Sequence, residues 1–168
     1  MIRTGIGYDV HQLVEGDTLS IGGVEISAPF GSLGHSDGDG LIHALVDALL
    51  GAATLGDIGQ FFPSENDMWE GVSSNHFLTD SVKRVRGAGF EICNVDTTII
   101  LQKPKLERFI SQMKYNLAVS MKVNESLVSV KATTTDYLGG IGAGKGWAVQ
   151  AVATLFKNDG HCCSLIHL

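Results

Sequence analysis

Apolar residues in this chain follow two periods. They alternate along residues 2–13 (IRTGIGYDVHQL), 90–102 (FEICNVDTTIILQ), 127–135 (LVSVKATTT) and 147–156 (WAVQAVATLF), and period two predicts strands. In the last of these, Trp147, Val149, Ala151 and Ala153 share one face. Residues 18–27 (TLSIGGVEIS) carry two short β-runs about Gly22-Gly23, which predicts a hairpin. Between Gly34 and Gly59 the pattern changes. Leu41, Ile42, Leu45, Val46, Leu49 and Leu50, with Ala44, Ala48, Ala52 and Ala53 in the gaps, predict a helix apolar on every side and therefore buried. Asp37 or Asp39 supplies its N-cap and Gly56 its stop, with Gly51 tolerated inside. A second helix is expected over 73–88, capped by Ser73 or Ser74. A third is expected to open at Pro104 and run from Lys105 to about Lys122, with Leu106, Phe109, Ile110, Met113, Leu117 and Val119 inward.

The resulting order is β, hairpin, α, α, β, α, β, β. It predicts an α/β sandwich: a mixed sheet with helices on one face, plus the small hairpin. No repeat or linker interrupts it, so residues 1–157 are expected to form a single domain and 158–168 a disordered tail.

Three polar residues interrupt the central helix, and they carry the chemistry. Asp39, His43 and Asp47 lie at i, i+4 and i+8 and form one row. A core histidine held between two carboxylates would account for the row alone. The first strand adds a second observation: Asp9 and His11, two apart, project from one face, and its two glycines suit close approach of another backbone. One carboxylate and two imidazoles match both a catalytic zinc site with an open fourth position and the two-His-one-carboxylate triad of non-haem iron enzymes. Asp39 or Asp47, one turn from His43, could fix its ring through the other nitrogen.

Charge and cysteine count narrow the rest. A net charge of −6 argues against a general nucleic-acid or anionic-membrane surface, and no run of 18 apolar residues occurs. Three cysteines without framework spacing indicate a reducing compartment, and no targeting segment is expected, so the cytoplasm is the expected location. The Gly-rich run from Leu138 to Gly146 fits G-x-x-x-x-G-K but has Gly146 where a phosphate-binding loop needs Ser or Thr, and a strand pattern follows it; a flexible loop is expected instead. Thr133, Thr134, Thr135 and Asp136 end a strand with three hydroxyls and a carboxylate, able to hold phosphate oxygens and a hard cation. His161, Cys162, Cys163 and His167 in the tail make a poor metal site because the cysteines are adjacent.

Several stretches resemble a known family. GYDVHQL, LGHSDGDGLIHALVDALLGAATLGDIGQFFP, NVDTTIILQKPKL and VKATTTDYLG are similar, in register over residues 2–157, to 2-C-methyl-D-erythritol 2,4-cyclodiphosphate synthases of the non-mevalonate isoprenoid pathway. The resemblance implies a homotrimer with active sites between subunits and cyclisation of 4-diphosphocytidyl-2-C-methyl-D-erythritol 2-phosphate with release of CMP. It implies Asp9, His11 and His43 as ligands of one Zn²⁺, and Asp136, one methylene shorter than the family's Glu, as ligand of a second ion, Mg²⁺ or Mn²⁺. His35 and Thr134 match the residues that polarise the attacked phosphate, with Ser36 beside them. Asp57 and Gly59 match ribose contacts, and residues 101–106, among them Leu101, Lys103, Pro104, Lys105 and Leu106, the cytosine pocket. Ile58, Phe62 and Phe77 match the pocket for the methylerythritol skeleton, and Pro63, Ala132, Thr133 and Thr135 complete the expected substrate contacts. Gly140, Ala143 and Gln150 stand where family members often carry Phe, Arg and Glu, the residues associated with an isoprenoid diphosphate in the trimer's central cavity. A non-haem iron oxygenase would use the same triad in a double-stranded β-helix, which the long central helix argues against. A silent nucleotide-binding trimer would bind CDP without turnover.

Overall fold

The computed structural model describes residues 1–34 and 36–157. The expected tail at 158–168, with His161, Cys162, Cys163 and His167, lies outside the described residues, as does His35. Five strands form a mixed sheet in the order β4 (Phe30–Ser32), β1 (Ile2–Glu15), β7 (Gly146–Lys157), β5 (Phe90–Ile100), β6 (Val128–Thr133). Only β5 and β6 are parallel. β2 (Thr18–Ile21) and β3 (Val24–Ser27) form the separate hairpin about Gly22 and Gly23, whose φ values of +61° and +68° suit the tight primed turn.

The central helix α1 (Gly40–Ala52) packs against β1 and β7, and α3 (Ser74–Gly87) packs against α1. Every apolar residue of α1 other than Gly51 is buried, as its lack of a polar face demands. The contact with β1 is backbone on backbone. A Cβ on Gly5 would lie 2.1 Å from the Ala48 carbonyl oxygen, so the two strand glycines and the small helix residues Ala44 and Ala48 let the elements approach without side chains between them. The other face of the sheet carries no helix among the described residues. Ile6, Tyr8 and Val10 of β1, at alternate positions on one face of the strand, stand 72%, 58% and 52% exposed there.

Four local expectations are corrected. Helix α1 does not run to Gly56. It ends at Ala52 with Ala53 as its C-cap, and Thr54 takes the left-handed conformation (φ +61°) while its N–H and that of Leu55 bond back to the Gly51 and Leu50 carbonyls. Helix α4 spans Ile110–Met121 rather than starting at Lys105; a cis Lys103–Pro104 bond and a 3-10 turn at Glu107–Phe109 precede it. Val119 points outward, because Met113, Leu117 and Met121 form the buried stripe and a residue two beyond Leu117 lies about 200° around the helix. The Gly-rich run is no loose loop: Gly139–Gly142 make one helical turn, α5, between Leu138 and β7. A similar single turn, α2 (Ile58–Phe61), follows α1.

Candidate metal centre and substrate cleft

Strand β1 delivers Asp9 and His11 to the helix side of the sheet, opposite Val149 and Trp147 of β7. Helix α1, seated on Gly5 and Gly7, brings His43 down onto them. The ligand atoms of the three residues lie within 4.8 Å of one another: Asp9 Oδ2 is 2.9 Å from His11 Nδ1 and 3.4 Å from His43 Nδ1. Buried Trp147 walls the site, its ring 6.0 Å from that of His11. Gly40, the first residue of α1, makes room for it. A Cβ there would fall 2.9 Å from Asp9 Oδ2 and 3.2 Å from His11 Nδ1.

The electrostatics suit a cation. Burial alone would raise the Asp9 carboxyl, but the two imidazoles outweigh it and hold the group far below the ordinary carboxylate range. Burial alone would lower His43, but Asp9, with Asp39 and Asp37 behind it, raises the imidazole. Asp9 Oδ2 and His11 Nδ1 are nevertheless buried with no hydrogen-bond partner. Two buried polar atoms close together without a hydrogen bond between them are costly alone and are the donor set a divalent metal uses. The residues present fit a divalent metal ion.

Asp39 and Asp47 do not hold the His43 ring. Asp39 is fully buried, caps α1 by accepting from Ile42 N (3.1 Å), and also accepts from Gly22 N (2.9 Å) and Gly23 N (2.7 Å), clasping the hairpin to the helix. Burial pushes its carboxyl up against the pull of those three N–H groups. Asp47 accepts from Ile58 N (2.8 Å) and fixes the start of α2. The helical row told which side these residues occupy, not which backbone groups arrive there from elsewhere. The partner of His43 Nε2 is Ser74 Oγ at 2.8 Å, with Ser36 Oγ at 3.2 Å. In sequence Ser74 carries no signal beyond a candidate cap, a role that falls to Ser73.

Beside the centre a cavity of about 220 Å³ is lined by Ser36, His43, Ile58, Gly59, Phe62 and Phe77, together with Ser64 and Trp69, which sequence reasoning missed. Phe62 and Phe77 stack at 4.6 Å, and Trp69 stands edge-on to both. Asp57 caps α2 through Gln60 N (2.9 Å), and neither it nor Pro63 lines this cavity. A second cavity, about 320 Å³, is walled by Leu101, Pro104, Lys105, Leu106, Ala132, Thr133 and Thr134. Lys103 lines a neighbouring one instead, with Leu101, Tyr137 and Ile141. Thr134 and Asp136 are exposed and mutually hydrogen-bonded at 3.3 Å, and Asp136 (φ +50°) and Tyr137 (φ +66°) hold a strained left-handed pair just after β6. Thr135 is turned elsewhere, donating to the Leu138 carbonyl.

Comparison with known proteins shows the family. The model of the YgbB family matches residues 2–156. The chain belongs to the YgbB family. It is 48% identical over 156 residues to the 2-C-methyl-D-erythritol 2,4-cyclodiphosphate synthase of Alkaliphilus oremlandii, covering 93% of this chain and 99% of that protein. It is 51% identical over 155 residues to the synthase of that name from Carboxydothermus hydrogenoformans, covering 92% and 95%. Among solved structures, a 2C-methyl-D-erythritol-2,4-cyclodiphosphate synthase in a CDP-bound form superposes with a TM-score of 0.84 at 34% identity, covering 92% of this chain and all of that one. The Plasmodium falciparum IspF complex with CDP gives a TM-score of 0.81 at 35% identity, covering 93% and 96%. This YgbB-family chain thus shares the mixed α/β fold of relatives captured with CDP. No helix among its described residues is long and apolar enough to cross a membrane.

Proposed function

We propose that this chain converts 4-diphosphocytidyl-2-C-methyl-D-erythritol 2-phosphate into 2-C-methyl-D-erythritol 2,4-cyclodiphosphate and CMP, as a phosphorus–oxygen lyase of isoprenoid precursor synthesis in the cytoplasm. The observation that carries the reading is the convergence of Asp9, His11 and His43 beside the cavity of Ile58, Phe62 and Phe77, in a chain that matches synthases of that name along nearly its whole length.

The nucleophile in this reaction is the substrate's own 2-phosphate, so the protein needs no activated serine or cysteine. The 2-phosphate oxygen forms a bond to the β-phosphorus while the bond from that phosphorus to the CMP oxygen breaks. Catalysis then consists of folding the substrate into line and balancing charge. Asp9, His11 and His43 would hold Zn²⁺, which when bound offsets negative charge on the diphosphate. Asp136 would hold a second divalent ion. Ile58, Phe62 and Phe77 bury the branched carbon skeleton and exclude water; Asp57 and Gly59 receive the ribose, and Leu101 to Leu106 the cytosine. Thr134 and His35 donate to the phosphate oxygens on which charge develops.

Distance within the chain supports a homotrimer with shared sites. Val10, beside the metal ligands, and Thr133, beside Thr134, occupy one row of the sheet, with Ala148 and Ile100 between them. Three strand spacings amount to about 14 Å. Ligands so far apart serve one diphosphate more readily when they come from neighbouring copies, and the bare apolar face of β1 offers the surface for that association.

Metal analysis and a CMP-release assay test the reading together. The purified protein should carry one zinc per chain and release CMP from the named substrate, and His43→Ala should lose both. Full turnover by the zinc-free protein would refute it.

A further inference from the structure

Ser74 Oγ donates its single proton to Asp37 Oδ1, and Asp37 Oδ2 accepts from Ser74 N at 2.9 Å. With its proton committed, the hydroxyl can only accept from His43 Nε2, 2.8 Å away. The neutral ring, the form that binds a metal, therefore carries its hydrogen on Nε2, and Nδ1, which faces Asp9 and His11, keeps its lone pair. We infer that Asp37 and Ser74 are positioning residues that select the His43 tautomer able to bind metal through Nδ1. This rests on the zinc reading of Asp9, His11 and His43, and names the groups that tune it.

The arrangement is built rather than incidental. Ser74 is fully buried at the first position of α3, where both its N–H and its hydroxyl reach one carboxylate. Ser36 Oγ stands 3.2 Å from the same ring nitrogen and accepts from Gly38 N, so it offers Nε2–H a second, longer acceptor. A metal-bound imidazole whose other nitrogen donates to an oriented acceptor is fixed in ring plane and more basic toward the metal.

The test exploits the direction of the hydrogen bonds. In Asp37→Asn the amide oxygen can accept from Ser74 N while the amide NH₂ donates to Ser74 Oγ, giving up only the 3.2 Å bond that Oδ1 accepts from Asp39 N. The hydroxyl then turns its proton toward His43 Nε2, and the hydrogen on the neutral ring is driven to Nδ1, where it blocks the metal. Zinc affinity, measured with zinc alone against a competing chelator, should fall roughly ten- to a hundredfold. The metal-free variant should melt within a few degrees of wild type. Independently, ¹⁵N–¹H correlation spectra of the zinc-loaded wild type should place the His43 ring hydrogen on Nε2. Wild-type zinc affinity in Asp37→Asn, or a wild-type spectrum with the hydrogen on Nδ1, would overturn the inference while leaving the metal site standing. Failure of the wild type to bind zinc would instead sink the reading of the site.

Discussion

Gly7 stands directly beneath Ala44: a Cβ on the glycine would fall 1.8 Å from the Ala44 carbonyl oxygen. The same contact sets the depth at which α1 lies on the sheet, and that depth brings His43 Nδ1 to 3.4 Å from Asp9 Oδ2. Packing and chemistry are one geometric fact here.

Gly7→Ala should therefore damage both. The clash is with backbone, which cannot rotate away, so the helix must lift. Overpacking of this kind costs about 3 kcal/mol or more, read as a lowered urea midpoint. Zinc binding should weaken in parallel, because the lifted helix carries His43 with it.

Two glycines of α1 separate stability from metal binding. A Cβ added at Gly51 would meet nothing within 4 Å, so Gly51→Ala should stabilise by about 0.5–1 kcal/mol and leave zinc content unchanged. Gly40→Ala should fold comparably, yet its methyl would press on Asp9 and His11, and zinc affinity should drop about tenfold or more. Chelator titration and thermal melts on the pair would show the contrast.

Asp39→Ala removes the acceptor for Ile42, Gly22 and Gly23 together. Loss of a helix cap with buried N–H groups left unpaired should cost about 2–4 kcal/mol in a urea titration. Because burial raises the Asp39 carboxyl in the folded state, its contribution is full below the ordinary carboxylate range and declines as pH rises through the folded value. That slope should vanish in Asp39→Asn.

Subunit mixing tests whether the site is shared between copies. His43→Ala and Thr134→Ala should each be inactive. Refolded together in equal amounts they should regain about a quarter of wild-type CMP release, from sites that draw one intact half from each chain in a closed ring. Sites complete within one chain would give no recovery.

Much of this was legible in the sequence because periodicity reports burial. The unbroken apolar surface of α1, the alternation of β1 with its paired glycines, and the Asp9, His11, His43 constellation follow from residue order alone. Partners that depend on a distant segment were not legible. Asp47 meets a backbone N–H eleven residues away, and His43 meets Ser74, thirty-one residues away, so no local spacing encodes either contact. The start of α4 misled because Pro104 suits the opening of a helix, whereas here it precedes an irregular segment that shapes the cavity behind Leu101 and Leu106. At the end of α1 a threonine took the left-handed position where glycine is the usual occupant, its side chain held by Arg3.

The apolar face of β1 is left bare on the side away from the helices. In the proposed homotrimer Ile6, Tyr8 and Val10 would be covered by a neighbouring copy, so dilution should remove part of what holds the fold together. The melting temperature of that assembly should then rise with protein concentration.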